Sequence, residues 1–142
     1  MATIIDVYRV IDSMKTEGIV RNYAVGGGMA ALFYSETTLI FDVDVFVSLT
    51  QEGWLIDLSP IYHWARQKGF EVRDEYLISH GVPVQILVAN EGLETEAIEC
   101  AQEMGASKVR VMKPEYLIAL YIQTSGDKRR GRARFVRRSS SQ

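Results

Sequence analysis

Apolar residues recur at helical spacing near the start of the chain. Ile4, Val7, Tyr8, Ile11 and Met14 share one face of residues 3–16, behind Thr3 as a cap and ahead of Gly18 as a stop. That spacing predicts an amphipathic helix. Tyr23-Ala24-Val25 then reads as a short strand running into Gly26-Gly27-Gly28, and Met29 to Tyr34 has helical character. From Phe41 to Val47 the period becomes two: Phe41, Val43, Val45 and Val47 alternate with Asp42, Asp44 and Phe46, which predicts a strand.

The second half repeats the alternation of elements. Ser59-Pro60 predicts a helix start, with serine as cap and proline at the first helical position. This helix carries Ile61, Trp64 and Ala65 and ends near Gly69. Phe70-Glu71-Val72, Tyr76-Leu77-Ile78 and Val84 to Val88 read as strands, the last two joined as a hairpin by a turn at Gly81-Val82-Pro83. Asn90 is placed to cap a helix through about Met104, closed by Gly105. Val109 to Met112 reads as one more strand, and Pro114 opens a helix carrying Tyr116, Leu117, Leu120 and Ile122. Helices and strands that alternate, with one antiparallel pair among them, predict a mixed α/β sheet flanked by helices in a single layered domain.

Composition changes this picture little, and charge changes it at one end. With 142 residues, 47% hydrophobic and 24% charged, the chain fits one soluble globular domain. No apolar run reaches the roughly 18 residues of a membrane span, and Met-Ala-Thr-Ile-Ile-Asp lacks the pattern of a signal peptide. The single cysteine, Cys100, has no partner for an internal disulfide and falls in the predicted helix as a small, partly buried side chain. A reducing cytoplasm is the expected compartment. The net charge of −2 divides unevenly: residues 1–100 hold 15 acidic and 6 basic residues, residues 101–142 hold 3 and 10. The domain is therefore expected over 1–127, followed by a basic tail at 128–142, a frayed solvated end or a phosphate contact through Arg129 to Arg138.

The chemistry centres on Asp42 and Asp44. Residues i and i+2 of a strand point to the same side, so two carboxylates stand together amid valines and phenylalanines. Like charges so close repel, and a divalent cation resolves the conflict. Mg2+ prefers a few carboxylate oxygens with water and phosphates, which suits a triphosphate site. A simpler arrangement puts Asp44 on an exposed sheet face and Asp42 at a turn. Upstream, Val25-Gly26-Gly27-Gly28-Met29-Ala30 gives a strand, a glycine turn and a helix start, where backbone closely approaches a phosphate or simply turns tightly.

These blocks together resemble the nucleotidyltransferase superfamily, especially its small minimal and abortive-infection toxin-like (AbiEii-type) members. The similarity runs through Ala24-Val25-Gly26-Gly27-Gly28-Met29-Ala30-Ala31-Leu32, Thr37-Thr38 and Phe41-Asp42-Val43-Asp44-Val45-Phe46-Val47. It continues in Lys113-Pro114-Glu115-Tyr116-Leu117-Ile118-Ala119-Leu120 and spans roughly residues 20–135. The resemblance implies that Asp42 and Asp44 are catalytic and hold Mg2+. It implies that Gly27, Gly28, Thr38 and Gln85 meet the nucleotide, and that a nucleoside monophosphate passes from a triphosphate to a hydroxyl acceptor. The acceptor classes are small molecule, RNA or protein, and no membrane is implied.

Two features depart from the pattern. The third carboxylate that the resemblance implies falls on the strand Val84 to Val88, where Gln85 stands; an amide ligates a cation but cannot accept a proton at neutral pH. Glu71 and Asp74 are nearby carboxylates without a required spacing. The final helix also stops early, at Asp127-Lys128-Arg129-Arg130-Gly131-Arg132, where relatives carry further helices. Both leave room for an alternative: a catalytically silent binding protein of toxin–antitoxin or nucleic-acid-binding type, with a partner protein completing the site.

Other features are weighed and set lower. Gly26-x-Gly28-x-x-Ala31 loosely matches a dinucleotide fingerprint, yet Asp42 and Asp44 begin their strand rather than end it. His63 and His80 read as surface or satisfied histidines, since no Cys or His cluster has metal-site spacing. Trp54, Tyr62 and Trp64 read as core or groove-edge aromatics. Lys108, Arg110 and Lys113 read as a basic rim at the site or as solvated strand ends.

Overall fold

The computed structural model describes residues 4–27, 43–50, 56–89 and 92–123. Helix α1 (Ile4–Thr16) buries Val7, Tyr8, Ile11 and Met14 and is stopped by Gly18 at φ +77°. Strands β1 (Asn22–Gly26) and β2 (Val43–Ser48) follow, then helix α2 (Ser59–Gln67). Next come β3 (Glu71–Arg73), β4 (Tyr76–Ser79) and β5 (Val82–Val88), helix α3 (Gly92–Glu99), β6 (Gln102–Met104), β7 (Val109–Val111) and helix α4 (114–123). Among the described residues the strands form one sheet in the order β3-β4-β5-β2-β1-β7-β6. The pairs β2/β5 and β1/β7 are parallel and the others antiparallel, so the sheet is mixed, as expected.

The core lies mainly on one face of this sheet. Val43, Val45 and Val47 of β2, Val84 and Ile86 of β5, Leu77 of β4 and Val109 and Val111 of β7 pack there against α1 and against Ile61, Trp64 and Ala65 of α2. The other face has a smaller cluster in which Ala24, Phe46 and Met112 meet Ala97 and Ile98 of α3 and Leu117 and Leu120 of α4. Two clusters on opposite faces arise because β2 alternates its valines with Asp44, Phe46 and Ser48.

Polar contacts tie the elements together. The Tyr23 hydroxyl donates to Asp12 Oδ1 at 2.6 Å and accepts from the Arg110 backbone N–H at 3.1 Å. Burial, then the Asp12 hydrogen bond, push that phenol far above its usual range. The Arg110 guanidinium donates to the carbonyls of Tyr23 and Ile98, at 3.2 and 2.8 Å, holding β7 to β1 and to the last turn of α3. The Trp64 indole donates to Glu17, which also pairs with Lys68.

Several local expectations need correction. Ser59 is the first helical residue of α2 rather than its cap: Leu58 precedes the helix, and Asp57 Oδ1 accepts the Ser59 N–H at 3.0 Å. A charged acceptor serves the positive helix start better than a hydroxyl, and this contact holds the Asp57 carboxyl below its usual range. The β4–β5 turn is His80-Gly81, with φ of +51° and +79° as a two-residue primed turn requires, so Val82 and Pro83 belong to β5. Pro83 precedes the first β2 pair, Val43 with Val84. The helix expected to run to Met104 stops at Glu99, because Gln102–Met104 pairs antiparallel with Val109–Val111 and Gly105 turns that hairpin. Cys100 thus lies just beyond α3, half-buried, with its Sγ 3.5 Å from the Tyr116 hydroxyl. On α4, Ile122 is exposed with Ile118 and Tyr121 rather than packed. Among the described residues no helix is long and apolar enough to cross a membrane.

Candidate functional site

The second face of the sheet carries a row of half-buried and exposed side chains that the core does not absorb. Strand pairing aligns Arg73 with Tyr76, Tyr76 with Gln85, Gln85 with Asp44 and Asp44 with Gly26. Each lies one position from a core-facing neighbour: Val72, Leu77, Val84 and Ile86, Val43 and Val45, and Val25. Partners in register project to the same side of a sheet. The row therefore crosses β3, β4, β5, β2 and β1 on a single face.

Asp44 stands in this row between Gln85 and Gly26. It is half-buried near the start of β2, with Gln85 beside it on the parallel strand β5. On the other side β1 ends, and Gly27 follows with φ +64°, a conformation that favours glycine. A Cβ built on Gly27 would stand 2.5 Å from Oδ2 of Asp44. Gly27 is exposed and Gly26 buried, so backbone open to solvent adjoins the carboxylate.

Of the expected site residues, the fold brings Gly27, Asp44 and Gln85 together. Asp42, Gly28 and Thr38 lie outside the described residues, as do Met29 to Tyr34, Trp54, Asn90 and the tail. Among the described residues no three His, Cys, Asp or Glu side chains gather as a metal cluster. Glu71 is on the second face but two strands beyond β5, where Oε1 pairs with Arg73 Nη2 at 2.7 Å. Asp74 is in the β3–β4 turn at φ +56°. Neither adjoins Asp44.

Several of the other candidates have structural roles. Arg110 belongs to the β7–β1–α3 tie and not to a rim at the site. Trp64 is core, and the Tyr62 hydroxyl donates to the Glu75 carbonyl. His63 is exposed, and the His80 ring lies against Phe70 with Nδ1 3.0 Å from Ser79 Oγ. The dinucleotide reading fails on topology: β1 and β2 are antiparallel, whereas the fingerprint needs a parallel βαβ unit. Sequence reading passed over Tyr76 and Arg73. Their place follows from two two-residue turns, Asp74-Glu75 and His80-Gly81, which fix 73 opposite 76 and 79 opposite 82. Those turn residues were the available signal.

No protein-family model matches the chain, and no curated protein matches it in sequence. A crystal structure from Thermotoga maritima, of a protein provisionally assigned as a nucleotidyltransferase, superposes with a TM-score of 0.56. The match covers 97% of this chain and 92% of that one at 17% identity. At that identity the likeness is one of fold: the mixed sheet flanked by helices is nucleotidyltransferase-like.

Proposed function

We propose that the chain is a nucleotidyltransferase that moves a nucleoside monophosphate from a nucleoside triphosphate to a hydroxyl acceptor, with Mg2+ held by Asp42 and Asp44. The observation that carries this reading is the register of the second-face row, with Asp44 between the Gly26-Gly27 backbone and Gln85. An open glycine backbone beside a strand carboxylate suits a triphosphate, because N–H groups reach phosphate oxygens where no side chain intervenes. Gly27 and Gly28 would cradle the phosphates, Thr38 would donate its hydroxyl and Gln85 its amide N–H. Bound there, Mg2+ supplies charge neutralisation of the triphosphate and a lower pKa for the attacking hydroxyl.

The chemistry balances simply. The acceptor oxygen bonds to the α-phosphorus as the bond to the bridging oxygen breaks, and pyrophosphate leaves. The hydroxyl proton goes to water or to a carboxylate of the pair, since an amide at position 85 cannot take it. That same amide favours a second reading: a silent nucleotidyltransferase-fold binding protein of toxin–antitoxin type, whose site a partner protein completes or whose basic tail meets nucleic acid.

Calorimetric titration with ATP, GTP, CTP and UTP, with and without Mg2+, tests the proposal. Binding that needs Mg2+ and weakens at least about tenfold in Asp42→Ala/Asp44→Ala, some 1.4 kcal/mol, supports the transferase site. Pyrophosphate release with the bound nucleotide then separates enzyme from silent relative. Binding of none of the four rejects the transferase.

A further inference from the structure

The consecutive glycines at the end of β1 make room for two neighbouring residues of β2, Asp44 and Phe46, which share a face. A Cβ on Gly26 would stand 2.9 and 3.0 Å from two carbons of the Phe46 ring and 3.2 Å from the Met112 sulfur. The three atoms nearest to one on Gly27 all belong to Asp44: Oδ2 at 2.5 Å, Cβ and Cγ at 3.3 Å. Real side chains do not come so close, so something must move. The β2 backbone is pinned at this point by pairing with β1 and with β5. The carboxylate is the far end of a side chain with two torsions, so it is the part that gives way.

We infer that Gly27 is a positioning residue for Asp44: its missing side chain is the space in which the carboxylate stands. A substitution at Gly27 then turns the carboxylate away, a defect separate from any loss of phosphate contact by the backbone. Gly26 is the internal control, because the three atoms nearest to its Cβ belong to Phe46 and Met112.

A melting cycle and a metal titration test this together; the metal arm rests on the nucleotidyltransferase reading and the melting arm does not. Gly27→Ala is made in the wild-type and Asp44→Ala backgrounds. The backbone strain of φ +64° is present in both and cancels. The Tm loss should be at least about twice as large where Asp44 is present. Mn2+ serves as a paramagnetic probe: Gly27→Ala should weaken its binding by about tenfold or more, and Gly26→Ala by no more than about threefold. Equal Tm losses in the two backgrounds overturn the inference, as does Mn2+ binding that Gly26→Ala weakens as much as Gly27→Ala. If the wild type binds no Mn2+, the proposed function fails at this site and the melting cycle alone decides. Should Gly27→Ala fail to fold, folding of Gly27→Ala/Asp44→Ala supports the inference and failure of both overturns it.

Discussion

The two faces of the sheet are built from the same strands and differ most around Asp44. Val43, Val45 and Val47 are fully buried against α1 and α2, whereas Asp44, one residue from two of them, is half-buried among Gly27, Gln85 and the backbone of β1. On β5 Val84 and Ile86 are buried and Gln85 is not; on β4 Leu77 is buried and Tyr76 is half-buried. The first face supplies hydrophobic stabilisation, at roughly 25 cal/mol for each Å² of apolar surface removed from water. With the strands held from that side, the other face can keep a carboxylate, an amide and bare glycine backbone, none of which contributes much to folding. A strand covered on one face is a rigid mount for side chains on the other.

The sharpest way to break the comparison is to move a carboxylate by one residue. Val45→Asp places a charge in the sealed core without a partner and should cost more than about 4 kcal/mol, seen as loss of a cooperative thermal transition. The natural carboxylate next to it, Asp44, is accommodated because it is on the half-buried side.

A smaller effect should appear in alkali. Burial pushes the Tyr8 hydroxyl on the core face from 10.0 up to about 12. Its folded pKa is raised, so its contribution is fully present below pH 10 and is lost as pH rises towards 12, by about 2 kcal/mol. Urea denaturation midpoints measured from pH 9 to 12 should fall through that window, and Tyr8→Phe should flatten the fall. A midpoint that falls equally in the variant would put the alkaline sensitivity elsewhere.

The smallest effect should come from Gln85→Glu, which sets a second carboxylate beside Asp44. Repulsion should lower Tm slightly in the absence of divalent ion, and added Mg2+ should more than restore it, with an affinity gain of about tenfold or about 1.4 kcal/mol. A Tm indifferent to Mg2+ in this variant would count against a cation at this edge.

Much of the layout was legible because it depends on local periodicity. Residues 4–16 announce a helix by spacing alone, and Val43, Val45 and Val47 announce a half-buried strand. The errors fall where a distant partner decides. Gln102-Glu103-Met104 is compatible with a continuing helix and becomes a strand only because Val109–Val111 lies opposite. Leu58 displaces Ser59 at the capping position, and the Asp57 carboxylate, one residue earlier, takes the Ser59 N–H. Arg110 looks like a rim cation until Tyr23 and Ile98 present carbonyls to it.

By itself the sequence determined the α/β class, the alternation that sets Asp44 apart from the valines, and the glycine turn before it, since each is a property of adjacent residues. Tertiary structure decided what stands beside Asp44. Its neighbours Gly26 and Gln85 are 18 and 41 positions away and meet it only through an antiparallel and a parallel pairing. Tight turns set the register of β3, β4 and β5, but that of β2 with β1 and β5 depends on burial of a whole face, and no local pattern in the chain encodes it.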